Sequence, residues 1–186
     1  MQKILLHICC GPCSAYPATL LSESYQVIGY FYNPNIYPYE EWIKRYEAFR
    51  KFCEESDSVV DYFPQNSYTK EEYDAEHQIY LEKVKGLEHE PEGGARCPVC
   101  FKFRIEQSGL FAKEQGINNF ATTLTIGSNK RPEIINPIGI AVADKHGLVF
   151  YEANFKKQDG ALKGKKISDK HSLYRQHYCG CEFSLR

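Results

Sequence analysis

The sequence predicts an α/β fold of the Rossmann-like kind: a parallel sheet with helices on both faces and a cysteine-bearing C-terminal tail. Two observations predict it. Short β-branched or aromatic runs alternate with longer segments of helical spacing, the order that builds a parallel sheet. The first two apolar runs each stop at turn-forming residues, Gly11-Pro12 and Asn33-Pro34-Asn35. With 186 residues and 42% hydrophobic content, the chain is expected to form a single domain over residues 1–186 around one sizeable core.

Lys3 to Cys9 reads as the first strand, and Ser14 to Ser22 as a helix with Ser14 as its N-cap. Gln26 to Tyr32 is the second strand, followed by a helix from Tyr39 to Cys53. Val59 to Phe63 suits a short strand and Thr69 to Lys85 a polar helix, before a loop from Gly86 to Arg96 that contains Pro91, Gly93 and Gly94. Cys97 opens a helix running to about Gln115, because Phe101, Ile105, Leu110 and Phe111 keep one apolar stripe. Asn119 to Leu124 reads as a buried strand, Pro132 to His146 as a helix with proline in its first turn, and Leu148 to Tyr151 as a last strand.

Formal net charge is −1, which argues against nonspecific polyanion binding by the whole surface. The distribution is uneven. Glu54 to Glu92 is strongly acidic, whereas Lys156 to His177 is basic, so a polyanion would approach the second stretch. No run approaches the roughly 18 apolar residues that a bilayer span needs, and Lys3-Ile4-Leu5-Leu6-His7 lacks the character of a signal peptide. The expectation is a cytoplasmic protein with no membrane partner. In that reducing compartment, eight cysteines point to metal or redox chemistry before disulfides.

The cysteines fall into three groups, Cys9-Cys10-Gly11-Pro12-Cys13, Cys97-Pro98-Val99-Cys100 and Cys179-Gly180-Cys181, with Cys53 apart as a small buried hydrophobe. The first group sits at the carboxyl end of the first strand, where open α/β sheets gather their ligands. The second lies at a helix N-terminus, which favours thiolate over thiol. The gap between Cys97 and Cys100 lets both sulfurs reach one metal or cluster. Neighbours in extended backbone point to opposite sides, so Cys9 and Cys10 are expected to serve different centres unless the chain twists. A cubane iron-sulfur cluster takes about four thiolates, leaving a surplus that could hold a second metal, form a redox disulfide or include a non-ligand; one tetrahedral zinc is the simpler alternative and leaves thiols unused.

These groups, with Leu6-His7-Ile8 before the first, Phe31-Tyr32-Asn33-Pro34-Asn35-Ile36, Glu92-Gly93-Gly94-Ala95-Arg96, Thr122-Thr123-Leu124, Phe155-Lys156-Lys157 and Leu173-Tyr174-Arg175-Gln176-His177-Tyr178, closely resemble the QueH family of epoxyqueuosine reductases across nearly the whole chain. The resemblance implies an adenine-nucleotide-hydrolase-like fold and reductive removal of the epoxide oxygen from epoxyqueuosine in tRNA. It further implies a 4Fe-4S cluster beside a mononuclear iron, no cobalamin, and an external low-potential electron donor. The pattern departs at Asn154, where the family has Asp, and at Gly127-Ser128-Asn129, where it has Ser-Pro-His.

On that basis Cys10, Cys97, Cys100 and Cys179 are assigned to the cluster, and Cys9, Cys13 and Cys181 to the second metal. Asp61, His177 and Tyr178 are candidate proton donors. Arg96, Lys130 and Arg175 could hold phosphates, with Thr123 and Lys130 where a strand meets a helix, while Tyr32 and Tyr37 could stack on a splayed base. Two rivals stand beside this reading: an iron-sulfur tRNA thiolase of the PP-loop fold, and a zinc-stapled RNA-binding module. The first would need an SGGxDS-like loop where Cys9-Cys10-Gly11-Pro12-Cys13-Ser14 stands.

Overall fold

A computed structural model describes residues 1–185. Its described residues form one parallel sheet of five strands, β1 (Gln2–His7), β2 (Tyr25–Tyr30), β3 (Asp61–Phe63), β4 (Asn119–Thr122) and β5 (Val149–Phe150), in the order β3-β2-β1-β4-β5. Helices α1 (Gly11–Ser22), α2 (Tyr39–Glu55), α3 (Lys70–Lys83), α4 (Arg96–Glu114), α5 (Pro132–His146) and α6 (Gly160–Lys170) connect and cover it. The chain winds outward from β1 to β3, then returns past β1 to lay down β4 and β5. The crevice beyond β1 and β4 is therefore the switch point at which such sheets bind ligands. No described helix is long and apolar enough to cross a membrane.

The middle of β1, Ile4-Leu5-Leu6, is a continuous apolar run because both faces of the sheet are covered there. Ile4, Leu6 and Ile8 face a core shared with Trp42, Tyr46, Phe49 and Phe52 of α2. Leu5 and Cys9 face the other layer, with Ile105 of α4, Phe120 of β4 and Ile135 and Val142 of α5. Alternation along one strand thus divides the core in two and carries Cys9 onto the α4 side.

Several boundaries differ from those read in the sequence. β1 stops at His7, although Ile8 N–H still donates to Tyr30 O at 2.7 Å. Helix α1 starts before Ser14, and its N-cap is Cys10, whose extended backbone (φ −173°, ψ 160°) leaves Sγ to accept Cys13 N–H at 3.3 Å. Ser14 lies in the first turn and donates to Gly11 O at 2.5 Å. Its short polar side chain matches the usual cap preference, but Gly11 and Pro12 are better suited to start the helix where α1 presses on α2. A Cβ at Gly11 would stand 2.5 Å from Ala48 O. β4 likewise ends early, at Thr122, whose Oγ1 accepts Leu124 N–H at 3.2 Å and turns the chain into the 3-10 segment Thr123–Ile126. Thr69 caps α3 in a reciprocal capping box with Glu72.

The C-terminal tail returns across the carboxyl ends of the strands and is fastened by α2. Arg45 is buried; its Nε donates to Glu41 at 2.7 Å, while its two terminal nitrogens donate to the carbonyls of Cys179 and Tyr178, each at 3.0 Å. Gly180 has φ 109°, and its carbonyl accepts Tyr37 N–H at 2.8 Å. A side chain there would be strained by that backbone and would meet Arg45 as well.

Gly11→Ala should lower stability by about 1–3 kcal/mol, because the added methyl has no space against α2. Thermal denaturation reads this as a lower Tm, and an unchanged Tm would show that α1 and α2 separate freely.

Candidate metal centre

Cys9 leaves β1, Cys10 caps α1 and Cys13 lies in its first turn; the three sulfurs are all within 4.8 Å of one another. The expectation that Cys9 and Cys10 face apart is corrected here. The chain turns from strand to helix between them, so strand alternation no longer applies. Thr123 secures the first sulfur: its Oγ1 accepts Cys9 N–H at 3.2 Å and donates to Cys9 Sγ at 3.5 Å. From the tail, Gln176 Nε2 donates to Cys10 Sγ at 2.9 Å and reaches to 3.8 Å from Cys13 Sγ.

His7 supports this trio from below. Its Nε2 lies 3.1 Å from Tyr32 O, a pure acceptor, so that nitrogen carries the hydrogen. Its Nδ1 lies 2.8 Å from Thr122 Oγ1 and accepts the hydroxyl hydrogen, since that oxygen already receives Leu124 N–H. Burial, then the nearby Arg104 charge, lowers the His7 pKa to about 3.

The other four grouped cysteines line a second, smaller cavity together with Asn35, Tyr80, Glu92, Arg104 and Lys130. Cys97 lies in the first turn of α4 and Cys100 at the start of the next, and Cys179 and Cys181 come from the tail. Gly93 N–H donates to Cys97 Sγ at 3.2 Å, and the Tyr80 hydroxyl lies 3.2 Å from Cys181 Sγ. Arg104 is buried one turn beyond Cys100 and donates to Asn33 Oδ1, which links it to the loop after β2. Asn33 Nδ2 in turn donates to Ile8 O at 2.8 Å, one residue before Cys9.

Charge differs within the trio. Hydrogen bonds from Cys10 and Cys13 lower the Cys9 pKa against the effect of burial, and Lys130 and Arg104 help. Burial raises Cys10, and Cys13 is pushed up to about 12: Cys10 acts to lower it, but the Cys9 hydrogen bond and burial outweigh that. Within the trio, Cys9 is thus the sulfur that gives up its proton most readily. In the second group burial raises Cys97, and it raises Cys100 to about 11 despite Arg104.

Lys130 lines both cavities. Burial works to lower its pKa, but Cys9, with Cys13 and Cys179, raises it overall. The larger cavity, about 250 Å³, opens between the sulfur groups and is lined by Cys9, Cys13 and Cys179 with Arg45, Glu92, Lys130, His177 and Tyr178, among others.

Against the sequence reading, the structure gathers all seven grouped cysteines but redistributes two of them. Cys10 stands with Cys9 and Cys13, and Cys181 stands with Cys97, Cys100 and Cys179. Asp61 is exposed on the edge strand, where Oδ1 accepts from Tyr62 N and Gln65 Nε2, and it lines neither cavity. His177 faces the larger cavity; Tyr178 does too, but its hydroxyl donates to Tyr37 O, and burial raises its pKa to about 12. Tyr32 offers no face to a base, being buried against Tyr30 and Phe103 with its hydroxyl on Glu76 Oε2 at 2.6 Å. Arg96 spends its Nη1 on the carbonyls of Leu87, Glu88 and Glu90 and so holds a loop in place of a phosphate. Thr123 holds Cys9, and Lys130 is folded inward because Lys156 ties down its loop through Gly127 O and Lys130 O. Arg175 is exposed beside Lys165 on a groove that also touches Cys13 and Gln176.

Three residues of the site, Arg104, Tyr80 and Gln176, are not singled out by the sequence reading. Arg104 was within reach of sequence reasoning, since it follows Cys97 and Cys100 at helical spacing on one face. Tyr80 gave no such signal, because α3 reaches the tail only through the tertiary fold.

Comparison with known proteins places the chain directly. The family described as "Epoxyqueuosine reductase QueH" matches residues 4–186. The chain belongs to the QueH family. Curated relatives carry that same description: a protein of Acinetobacter baylyi is 38% identical over 188 residues, covering 100% of this chain and 81% of the relative. One of Streptococcus pyogenes serotype M1 is 35% identical over 184 residues, covering 99% and 71%. One of Thermotoga maritima is 34% identical over 188 residues, covering 100% and 91%. The QueH match spans all three cysteine groups, and Cys9, Cys10 and Cys13 together with the further cysteines form a donor set able to bind metal.

Because Cys10 and Cys13 are held as thiols, loading the trio must release their protons. Metal affinity should therefore rise with pH through the neutral and mildly alkaline range. Competition with a chelator at several pH values measures this, and a pH-independent affinity would contradict the thiol assignment.

Proposed function

We propose that this chain is an epoxyqueuosine reductase, removing the epoxide oxygen from epoxyqueuosine at the tRNA wobble position to leave queuosine, the last step of queuosine biosynthesis. The observation that carries the reading is the convergence of two sulfur groups on one cavity at the switch point of the sheet, in a chain of the QueH family. The reaction breaks two carbon–oxygen bonds, forms an alkene, and consumes two electrons and two protons while releasing water. Neither the thiolase nor the zinc-module reading is favoured. The loop after β1 presents cysteines where an ATP-binding loop would stand, and two sulfur groups exceed the needs of one tetrahedral zinc.

The donor sets fit two different metal groups. Cys97, Cys100, Cys179 and Cys181 match in number the four thiolates of a 4Fe-4S cluster, and Cys9, Cys10 and Cys13 would hold a mononuclear iron. When bound, the cluster would supply single electrons and the iron a Lewis acid. This division revises the one read from sequence.

The remaining work falls to the chain itself. Lys130 and Arg104 supply positive charge beside the sulfurs, and Gln176 and Thr123 fix the sulfur positions from opposite sides. His177, exposed on the cavity wall, can bring protons in from solvent. The groove holding Lys165 and Arg175 leads from the surface to Cys13 and suits the phosphates of the anticodon arm. One domain over residues 1–186 carries these parts, in the cytoplasm, with electrons from an external low-potential donor.

Reconstituted protein, incubated anaerobically with epoxyqueuosine-containing tRNA and a low-potential reductant, should give queuosine by nucleoside mass analysis; unchanged nucleoside would overturn the reading. Cys97→Ser should bleach the cluster absorbance, whereas Cys10→Ser should keep it and lose the additional iron. Bleaching in both would return Cys10 to the cluster. Affinity for tRNA should fall steeply as salt rises, with a shallower slope once Lys165 and Lys166 are neutralised; a flat response would remove the basic groove from the interface.

A further inference from the structure

We infer that the Glu92 carboxylate recognises the substrate's side-chain amine, an assignment that rests on the epoxyqueuosine reading above. In epoxyqueuosine a secondary amine joins the deazaguanine base to the epoxycyclopentane ring. That amine is a cation at neutral pH, and it must enter a cavity whose walls include Arg45 and Lys130. Arg45 is neutralised by Glu41, so Lys130 is the cation that the entering amine must pass. Among the described residues lining the two sulfur cavities, Glu92 is the one carboxylate, and it belongs to both linings.

Its position is built by the local fold. Pro91 to Gly94 form a turn closed by Gly94 N–H on Pro91 O at 3.0 Å. Gly93, at φ 87°, donates its N–H to Cys97 Sγ and so ties that turn to the sulfur group. From the opposite loop, Asn129 Nδ2 donates to Glu92 Oε1 at 3.2 Å. Glu92 is exposed on the cavity wall; one of its oxygens accepts that hydrogen bond, and the other takes none from the described residues.

The covalent order of the substrate gives this contact a consequence. Because the amine lies between base and epoxide, holding it at Glu92 keeps the base toward solvent and turns the epoxide toward the sulfurs. Glu92 therefore sets both recognition and direction of entry. A neutral or unmodified wobble base would gain nothing from it.

The test compares wild type, Glu92→Gln and Glu92→Asp, all reconstituted and anaerobic. Binding is measured without reductant to two anticodon stem-loops, one with epoxyqueuosine and one with guanosine at the wobble position. Wild type should prefer the modified RNA. Glu92→Gln should lose roughly tenfold to hundredfold of affinity for it and leave guanosine RNA binding unchanged. With reductant, kcat/KM should fall by at least a similar factor, Glu92→Asp should recover part of the loss, and cluster absorbance should be the same in all three. Wild-type binding preference in Glu92→Gln, or loss of metal from both variants, would overturn the inference. If wild type itself converts no epoxyqueuosine, the functional reading fails and takes this inference with it; if wild type converts it while Glu92→Gln binds normally, only the inference fails.

Discussion

The arrangement depends on one buried cation. Arg45 of α2, neutralised by Glu41 one turn earlier, directs its remaining nitrogens at two consecutive carbonyls of the tail. Burying a guanidinium is costly unless its charge and its donors are all met, and here the backbone of Tyr178 and Cys179 meets them. That contact delivers Cys179 and Cys181 to Cys97 and Cys100, which would otherwise be a pair at a helix end with no partners. It also holds Tyr178 against the larger cavity, its ring 5.1 Å from the guanidinium.

Charge then sorts the sulfurs. Buried thiols resist ionisation, so thiolates form only where hydrogen bonds or cations oppose burial. In the trio, Cys9 obtains both and is the most readily ionised; its neighbours are held as donors. Lys130 stands where the two groups meet, so negative charge gathered at either one is felt by the same ammonium.

Much of this fold is legible in the amino-acid sequence. Period and punctuation give the strands and helices in their true order, since β1 and β2 are apolar runs cut off by Gly-Pro and Asn-Pro turns. The cysteine groups announce a donor set able to bind metal, because seven thiols gathered in three short stretches are more than packing asks for. Direction is what the sequence does not convey. Strand alternation separates Cys9 from Cys10, and only the turn into α1 reveals that both sulfurs face one way. Arg96, Tyr32 and Thr123 look like ligands for RNA, and each is taken up by the protein itself, because carbonyls of the 87–90 loop, Glu76 and Cys9 reach them first. Such competition between internal and external partners cannot be read from a residue's type.

The histidine beneath the trio has a wider consequence. Its hydrogen-bond chain runs from Leu124 N–H through Thr122 to His7 and on to Tyr32, with every donor and acceptor matched, and its ring ionises only near pH 3. The imidazole that joins β1, β4 and the loop after β2 is therefore a pH-indifferent rivet. Acidification or alkalinisation within the range of living cells leaves the platform that aims the sulfurs in its shape.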